Sequence, residues 1–156
     1  NMTGTLTYYE NTGLSDDIPR FEFITTAWQD ISIIGGVQAD GRHGASAITF
    51  YDLDADGDLD LSWGDIYQQS LYIIWNSGSA VSPQMTEITT QYPPGNPIIS
   101  AGQNMPTFAD LDGDGDEDLY VTVLSGVYGN QLVNNFFYYE NEGSNSDPDY
   151  YYKTNS

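Results

Sequence analysis

The feature that most constrains this chain is that it repeats itself. Tyr51 to Leu61 reads YDLDADGDLDL, and Ala109 to Leu119, at an offset of 58, reads ADLDGDGDEDL, each copy placing aspartates at every second position. Other echoes follow the same ruler. YYENTG (Tyr8 to Gly13) returns as YYENEG (Tyr138 to Gly143), and IIWNSG (Ile73 to Gly78) lies halfway between, keeping the Asn and the Gly. A proline follows each of these glycines at nearly fixed distance, as Pro19, Pro83 and Pro148. The spacing between copies stretches in the last unit, most simply through SGVYGNQ, Ser125 to Gln131. A period near 60 residues belongs to supersecondary units stacked as blades or coils, because one such unit cannot bury its apolar face alone.

Within a unit the signal is β. SAITFYD, LDLSWGD, SLYIIWNSG and QMTEITTQY are short, rich in β-branched and aromatic residues, and bounded by Gly, Asp, Asn or Pro. Ile48 and Phe50 alternate with Thr49 and Tyr51, which predicts a strand with unlike faces. No stretch shows sustained helical spacing with caps. The fold expected is therefore all-β, built of four-stranded antiparallel propeller-type blades. Residues 46–104 make one unit and residues 105–156 a second. Residues 1–45 hold only the last two strands of another, GTLTYYENTG and RFEFITTAW. About two and a half blades fall short of the four to eight that close a propeller. The expectation is an open array, or one completed by neighbouring chains or segments, since an uncovered edge invites strand addition.

Composition narrows the function. The 156 residues suffice for one domain with a real core, and 23 acidic against 3 basic residues give a formal net charge of −20. That balance speaks against nucleic acid, which needs Lys and Arg to displace counterions, and against anionic membrane surfaces. With 14% aromatic and 39% hydrophobic residues the chain is too apolar for disorder. Cysteine is absent, which removes disulfides and thiolate metal sites, and no apolar run approaches a membrane span. The start at Asn1-Met2-Thr3 looks like a mature product or an excised fragment. The same triplet fits the N-x-T glycosylation pattern, which at a chain end is read as chance.

The aspartate loops carry the chemistry. Calcium takes six to eight oxygen ligands, and side chains at the first, third and fifth positions of a loop converge when a glycine at the sixth permits a sharp turn. Asp52, Asp54 and Asp56 precede Gly57; Asp110, Asp112 and Asp114 precede Gly115. The ninth position is again aspartate, Asp60 and Asp118. The seventh, Asp58 and Asp116, is placed to offer its backbone carbonyl with its side chain toward water. An EF-hand needs a Glu at position twelve and flanking helices, whereas this chain has Trp63 and Val121 there, in strand-like sequence. Magnesium fits less well, preferring a tight octahedron and retained water. A solvated acidic turn is the bland reading of a lone Asp-rich run; two copies with the same spacing and glycine favour two structural calcium sites.

With the D-x-D-x-D-G-x-x-D core present twice, and with TFADLDGDGDEDLYV and YYENTG, the chain resembles the FG-GAP/VCBS repeat family of integrin-like β-propeller blades. GAS (Gly44 to Ser46) is a faint echo of that family's Gly-Ala-Pro. The resemblance implies a calcium loop between the first two strands of a blade, with side-chain ligands at positions one, three, five and nine and a carbonyl at seven. It thereby implicates Asp52, Asp54, Asp56, Asp58 and Asp60, then Asp110, Asp112, Asp114, Asp116 and Asp118. It also implies a secreted or cell-surface setting. The N-terminal half-unit departs from the pattern, having no third loop.

No other motif points to catalysis. Glu10 and Glu140 lack a visible acid–base partner, His43 sits alone in a Gly-rich stretch, and Ile33 to Gly36 lacks the lysine of a phosphate loop. The tyrosine clusters Tyr8-Tyr9, Tyr138-Tyr139 and Tyr150-Tyr151-Tyr152 are expected to pack between blades. Outward rings, with Trp28, Trp63 or Trp75, offer a platform for sugars or a subunit. The function expected is a non-enzymatic, calcium-stabilised extracellular module for adhesion, scaffolding or assembly, with self-association or a surface partner. A carbohydrate-binding module, appended to an enzyme or not, is the alternative.

Overall fold

The computed structural model describes residues 3–34 and 46–154. It is all-β, with no α-helix among the described residues, and it forms two compact units, Asn1–His43 and Gly44–Ser156. The first unit holds β1 (Thr3–Gly4), β2 (Tyr8–Ser15), β3 (Ile18–Thr25), a 3-10 turn (Trp28–Asp30) and β4 (Ile33–Ile34). β2 pairs with β3 as an antiparallel hairpin, and β1 with β4. Its described part is thinly covered, and Ile31 is its one buried hydrophobic residue among them.

The second unit contains the two complete sheets. β5 (Ala47–Tyr51), β6 (Asp60–Gly64), β7 (Tyr72–Asn76) and β8 (Met85–Thr89) form an antiparallel meander in chain order. β9 (Asn104–Ala109), β10 (Asp118–Val123), β13 (Phe136–Asn141) and β14 (Tyr150–Thr154) repeat that order. Between β10 and β13 the chain makes a small ladder of β11 (Ser125–Gly126) and β12 (Gly129–Asn130), so the surplus SGVYGNQ is spent on a hairpin of its own. Four-stranded antiparallel sheets are thus present as expected, while no closed propeller forms among the described residues.

Alternation explains the core. On β10, Leu119, Val121 and Val123 are buried while Tyr120 and Thr122 are not; on β13, Phe137, Tyr139 and Asn141 are buried. Each large apolar side chain so buried contributes roughly 1.5–3 kcal/mol. β6 differs: all five of its residues are buried, because both of its faces are covered. Gly64 at its end lies so close to Asn104 that a Cβ there would sit 1.6 Å from the Asn104 carbonyl oxygen. On β5 the faces are the reverse of what hydrophobicity suggests. Ile48 and Phe50 are more exposed than Thr49 and Tyr51. Thr49 donates its hydroxyl to the Pro106 carbonyl at 2.8 Å, and the Tyr51 ring stacks on Phe108 at 4.8 Å. Those contacts hold the first sheet to the second and fix where both aspartate loops emerge.

Candidate metal centre

Each aspartate stretch is the connection between the first and second strands of a sheet, β5 to β6 and β9 to β10. Hydrogen bonds from the loop's own backbone curl it; three of them recur in both copies, and the second copy adds one from the Gly113 N–H to Asp110 at 2.7 Å. The first-position carboxylate accepts the sixth-position N–H: Asp52 from Gly57 at 3.1 Å, Asp110 from Gly115 at 3.2 Å. The third accepts from the fifth, Asp54 from Asp56 at 3.4 Å and Asp112 from Asp114 at 3.1 Å. The fifth accepts from the seventh, Asp56 from Asp58 at 3.0 Å and Asp114 from Asp116 at 3.1 Å. The turn requires φ of +96° at Gly57 and +103° at Gly115, a region that side-chain-bearing residues avoid.

The ninth position ties the loop to the sheet. Asp60 Oδ2 accepts the Leu53 N–H at 3.0 Å and its Oδ1 the Asn76 N–H at 2.8 Å. Asp118 repeats both, from Leu111 at 3.0 Å and Asn141 at 2.9 Å, and adds the Tyr138 hydroxyl at 3.1 Å. These two aspartates are buried structural struts as well as candidate ligands.

Carboxylate oxygens converge in each loop. Those of Asp52, Asp54 and Asp60 all lie within 4.8 Å of one another, as do those of Asp110, Asp112 and Asp114. Asp56, Asp58, Asp116 and Asp118 lie in the same loops but outside these groups of three. The side chain of Asp58 is buried rather than turned to water, and Oδ1 of Asp52, Asp58 and Asp116 are buried with no hydrogen-bond partner. Buried anionic oxygens without a donor are costly. The electrostatics agree. Burial, and then the neighbouring aspartates, push up the carboxyls of Asp58 and Asp116. Burial raises Asp60 to about 6 despite the N–H bonds from Asn76 and Leu53 that oppose it. Crowded hard oxygens, some orphaned, fit a hard divalent cation, and these clusters can hold one.

Two further positions matter that spacing alone does not reveal. Asn76 and Asn141 receive the struts on their N–H groups and use Oδ1 to shape the next turn. Asn76 accepts from Gly78 and Gln84, Asn141 from Gly143 and Asp149. Their recurrence beside the glycine in IIWNSG and YYENEG was the available signal. Asn145 braces the second loop, accepting the Glu117 N–H at 2.9 Å, and Glu117 in turn accepts the Tyr51 hydroxyl at 2.6 Å. Of the aromatic platform residues, Trp63 is buried and Trp28 and Trp75 are half-buried, whereas the rings of Tyr8, Tyr9, Tyr151 and Tyr152 are exposed; Tyr128, outside those clusters, is exposed as well. His43, Asn1 and the Gly35-Gly36 pair lie outside the described residues.

Residues 52–121, from the first loop through the second to the middle of β10, match the family model described as FG-GAP-like repeat. Comparison with curated proteins and with solved structures brings out no match. Among the described residues no helix is long and apolar enough to cross a membrane.

Proposed function

We propose that this chain, an FG-GAP-like repeat over residues 52–121, is a calcium-stabilised module of an extracellular or surface protein. It serves adhesion, scaffolding or subunit assembly without catalysing a reaction, and its two complete sheets act as propeller-type blades. The observation that carries this reading is the duplicated loop itself. Two loops share one hydrogen-bond scaffold, each gathers three carboxylates within 4.8 Å, and buried oxygens of Asp52, Asp58 and Asp116 have no donor. Asp52, Asp54, Asp56 and Asp60, with Asp110, Asp112, Asp114 and Asp118, offer side-chain oxygens for such an ion; Asp58 and Asp116 offer carbonyls. A bound divalent ion supplies the positive charge that these groups otherwise lack, so occupancy is coupled to folding.

Thermal melts with calcium and with EDTA test this. An ion at about a hundredfold its dissociation constant adds about 2.7 kcal/mol per site. That corresponds to a rise on the order of 5–10 °C for a chain of this size. A melting temperature indifferent to EDTA would sink the metal reading. A second reading, sugar binding on the exposed rings of Tyr128, Tyr151 and Tyr152, is favoured instead if a glycan array returns strong calcium-dependent binding to one sugar class.

A further inference from the structure

The β2–β3 hairpin has the construction of the outer half of each complete sheet. Tyr9 pairs with Phe23, Glu10 with Glu22 and Asn11 with Phe21, as Tyr139 pairs with Tyr152, Glu140 with Tyr151 and Asn141 with Tyr150. Tyr9 meets Phe23 edge-on at 5.7 Å and 69°, and Tyr139 meets Tyr152 at 5.5 Å and 68°. The Asn11 side chain accepts the Gly13 N–H at 2.9 Å, as Asn76 and Asn141 do from Gly78 and Gly143.

Among the described residues no inner half stands beside this hairpin. In both complete sheets the other edge of this strand is occupied by the strand that follows an aspartate loop. Leu61 pairs with Ile74 and Leu119 with Tyr139, while the ninth-position carboxylate takes the N–H of Asn76 or Asn141. In the hairpin the corresponding residues are bare. Tyr9 is 54% exposed where Ile74 is 0% and Tyr139 2%; Phe21 is 63% exposed where Met85 and Tyr150 are each 8%. Asn11 is exposed where Asn76 and Asn141 are buried.

We propose that the open edge of β2 is a docking site for a strand–aspartate loop–strand segment donated from outside residues 1–156. That segment pairs with the chain around Tyr9, and its ninth-position carboxylate accepts the Asn11 N–H. The inference deepens the assembly reading above and rests on it, naming the partner by its chemistry. Strand addition supplies main-chain hydrogen bonds and burial of Tyr9, and the carboxylate sets the register. Pairing of two copies through their β2 strands around Tyr9–Asn11 fits less well. It brings two Glu10 carboxylates together and offers the Asn11 N–H no carboxylate.

The test uses the full chain, ¹⁵N-labelled and in calcium, with a synthetic peptide of residues 104–124, which carries this chain's own β9–loop–β10 sequence. The expected result is saturable binding that shifts the Tyr9 and Asn11 amides and slows exchange at Asn11. The same peptide with Asp118→Leu should bind at least tenfold more weakly. A second arm tethers residues 104–124 ahead of Asn1 through a Gly/Ser linker, which raises the effective concentration to the millimolar range. Protection of the Asn11 amide there supports the proposal. Untouched β2 amides in both arms overturn it, as does equal binding of the two peptides, or shifts at those amides that follow chain concentration without peptide. If EDTA still lowers the melting temperature while β2 stays untouched, the docking site falls and the metal reading stands.

Discussion

Asp60 is pulled in two directions, and the conflict is measurable. Its two oxygens take the Leu53 and Asn76 N–H groups, which favours the anion, yet burial and the charges of Asp54 and Asp58 leave its carboxyl raised from 3.8 to about 6. The metal-free folded chain therefore holds this proton more tightly than the unfolded chain. The stability so contributed is fully present below pH 4 and is lost as pH rises through about 6. Asp58 and Asp116 are raised too and act in the same direction. In EDTA the melting temperature should rise as pH falls from 7 toward 4.5. In calcium the advantage over EDTA should shrink across that window, because an ion must displace the proton. A metal-free melting temperature that drops between pH 6 and 4.5 would contradict this assignment. At this scale the alternating aspartates and the glycine were legible, since a ligand loop needs both in a short stretch. The Asp60–Asn76 and Asp118–Asn141 struts were not. Their partners stand 16 and 23 residues apart and meet only once strands have paired. Nor was the burial of Asp58 legible, because the direction of a side chain within a curled loop depends on the strand beside it.

At the scale of elements, glycines with similar sequence surroundings do different work. Gly57 sits at φ +96° with open space where a Cβ would go, so its task is conformational. Gly64 needs no unusual φ; it is the place where β6 meets the backbone of Asn104, held in turn by its side-chain amide on the Ser70 carbonyl at 2.9 Å. Gly64→Ala should therefore destabilise the chain by about 1–3 kcal/mol through overpacking. The loss should be the same in EDTA and in calcium, because the contact lies between strands. Gly57→Ala should lose stability in both conditions and lose more in calcium, since it strains the loop that gathers the carboxylates. Melts of both variants in both conditions decide this, and equal calcium sensitivity in the two would refute the division of roles. The strands themselves were readable: β5, β6, β7 and β8 each fall inside one of the four apolar and β-branched segments of residues 46–104. The faces of β5 were not, because Thr49 and Tyr51 are drawn inward by Pro106 on β9 and Glu117 in the second aspartate loop. Hydrophobicity along one strand contains no such information.

For the molecule as a whole, stability is concentrated in one of the two units. Leu53, Ile73, Ile98, Leu119, Val121 and Phe137 belong to one continuous cluster within Gly44–Ser156, and that unit also contains both aspartate loops. Asn1–His43 shows only Ile31 buried among its described hydrophobic residues, and its main element is a two-stranded hairpin, which is marginal alone in water. The sequence repeat already separates these cases, because only the later units carry all four strand segments. It does not show how much apolar surface the half-unit leaves bare, since exposure depends on what lies alongside Tyr9 and Phe21 in space. Expressed by itself, the segment 44–156 should fold with a single cooperative transition, report through buried Trp63, and keep its response to calcium. The segment 1–43 should show no cooperative melt by itself, its Trp28 emission remaining that of a solvated indole. A non-cooperative 44–156 would mean that the core just described does not suffice without the hairpin unit. A cooperative melt of 1–43 would mean that the exposed hairpin is a stable fold in its own right, rather than half of a sheet that requires its inner strands.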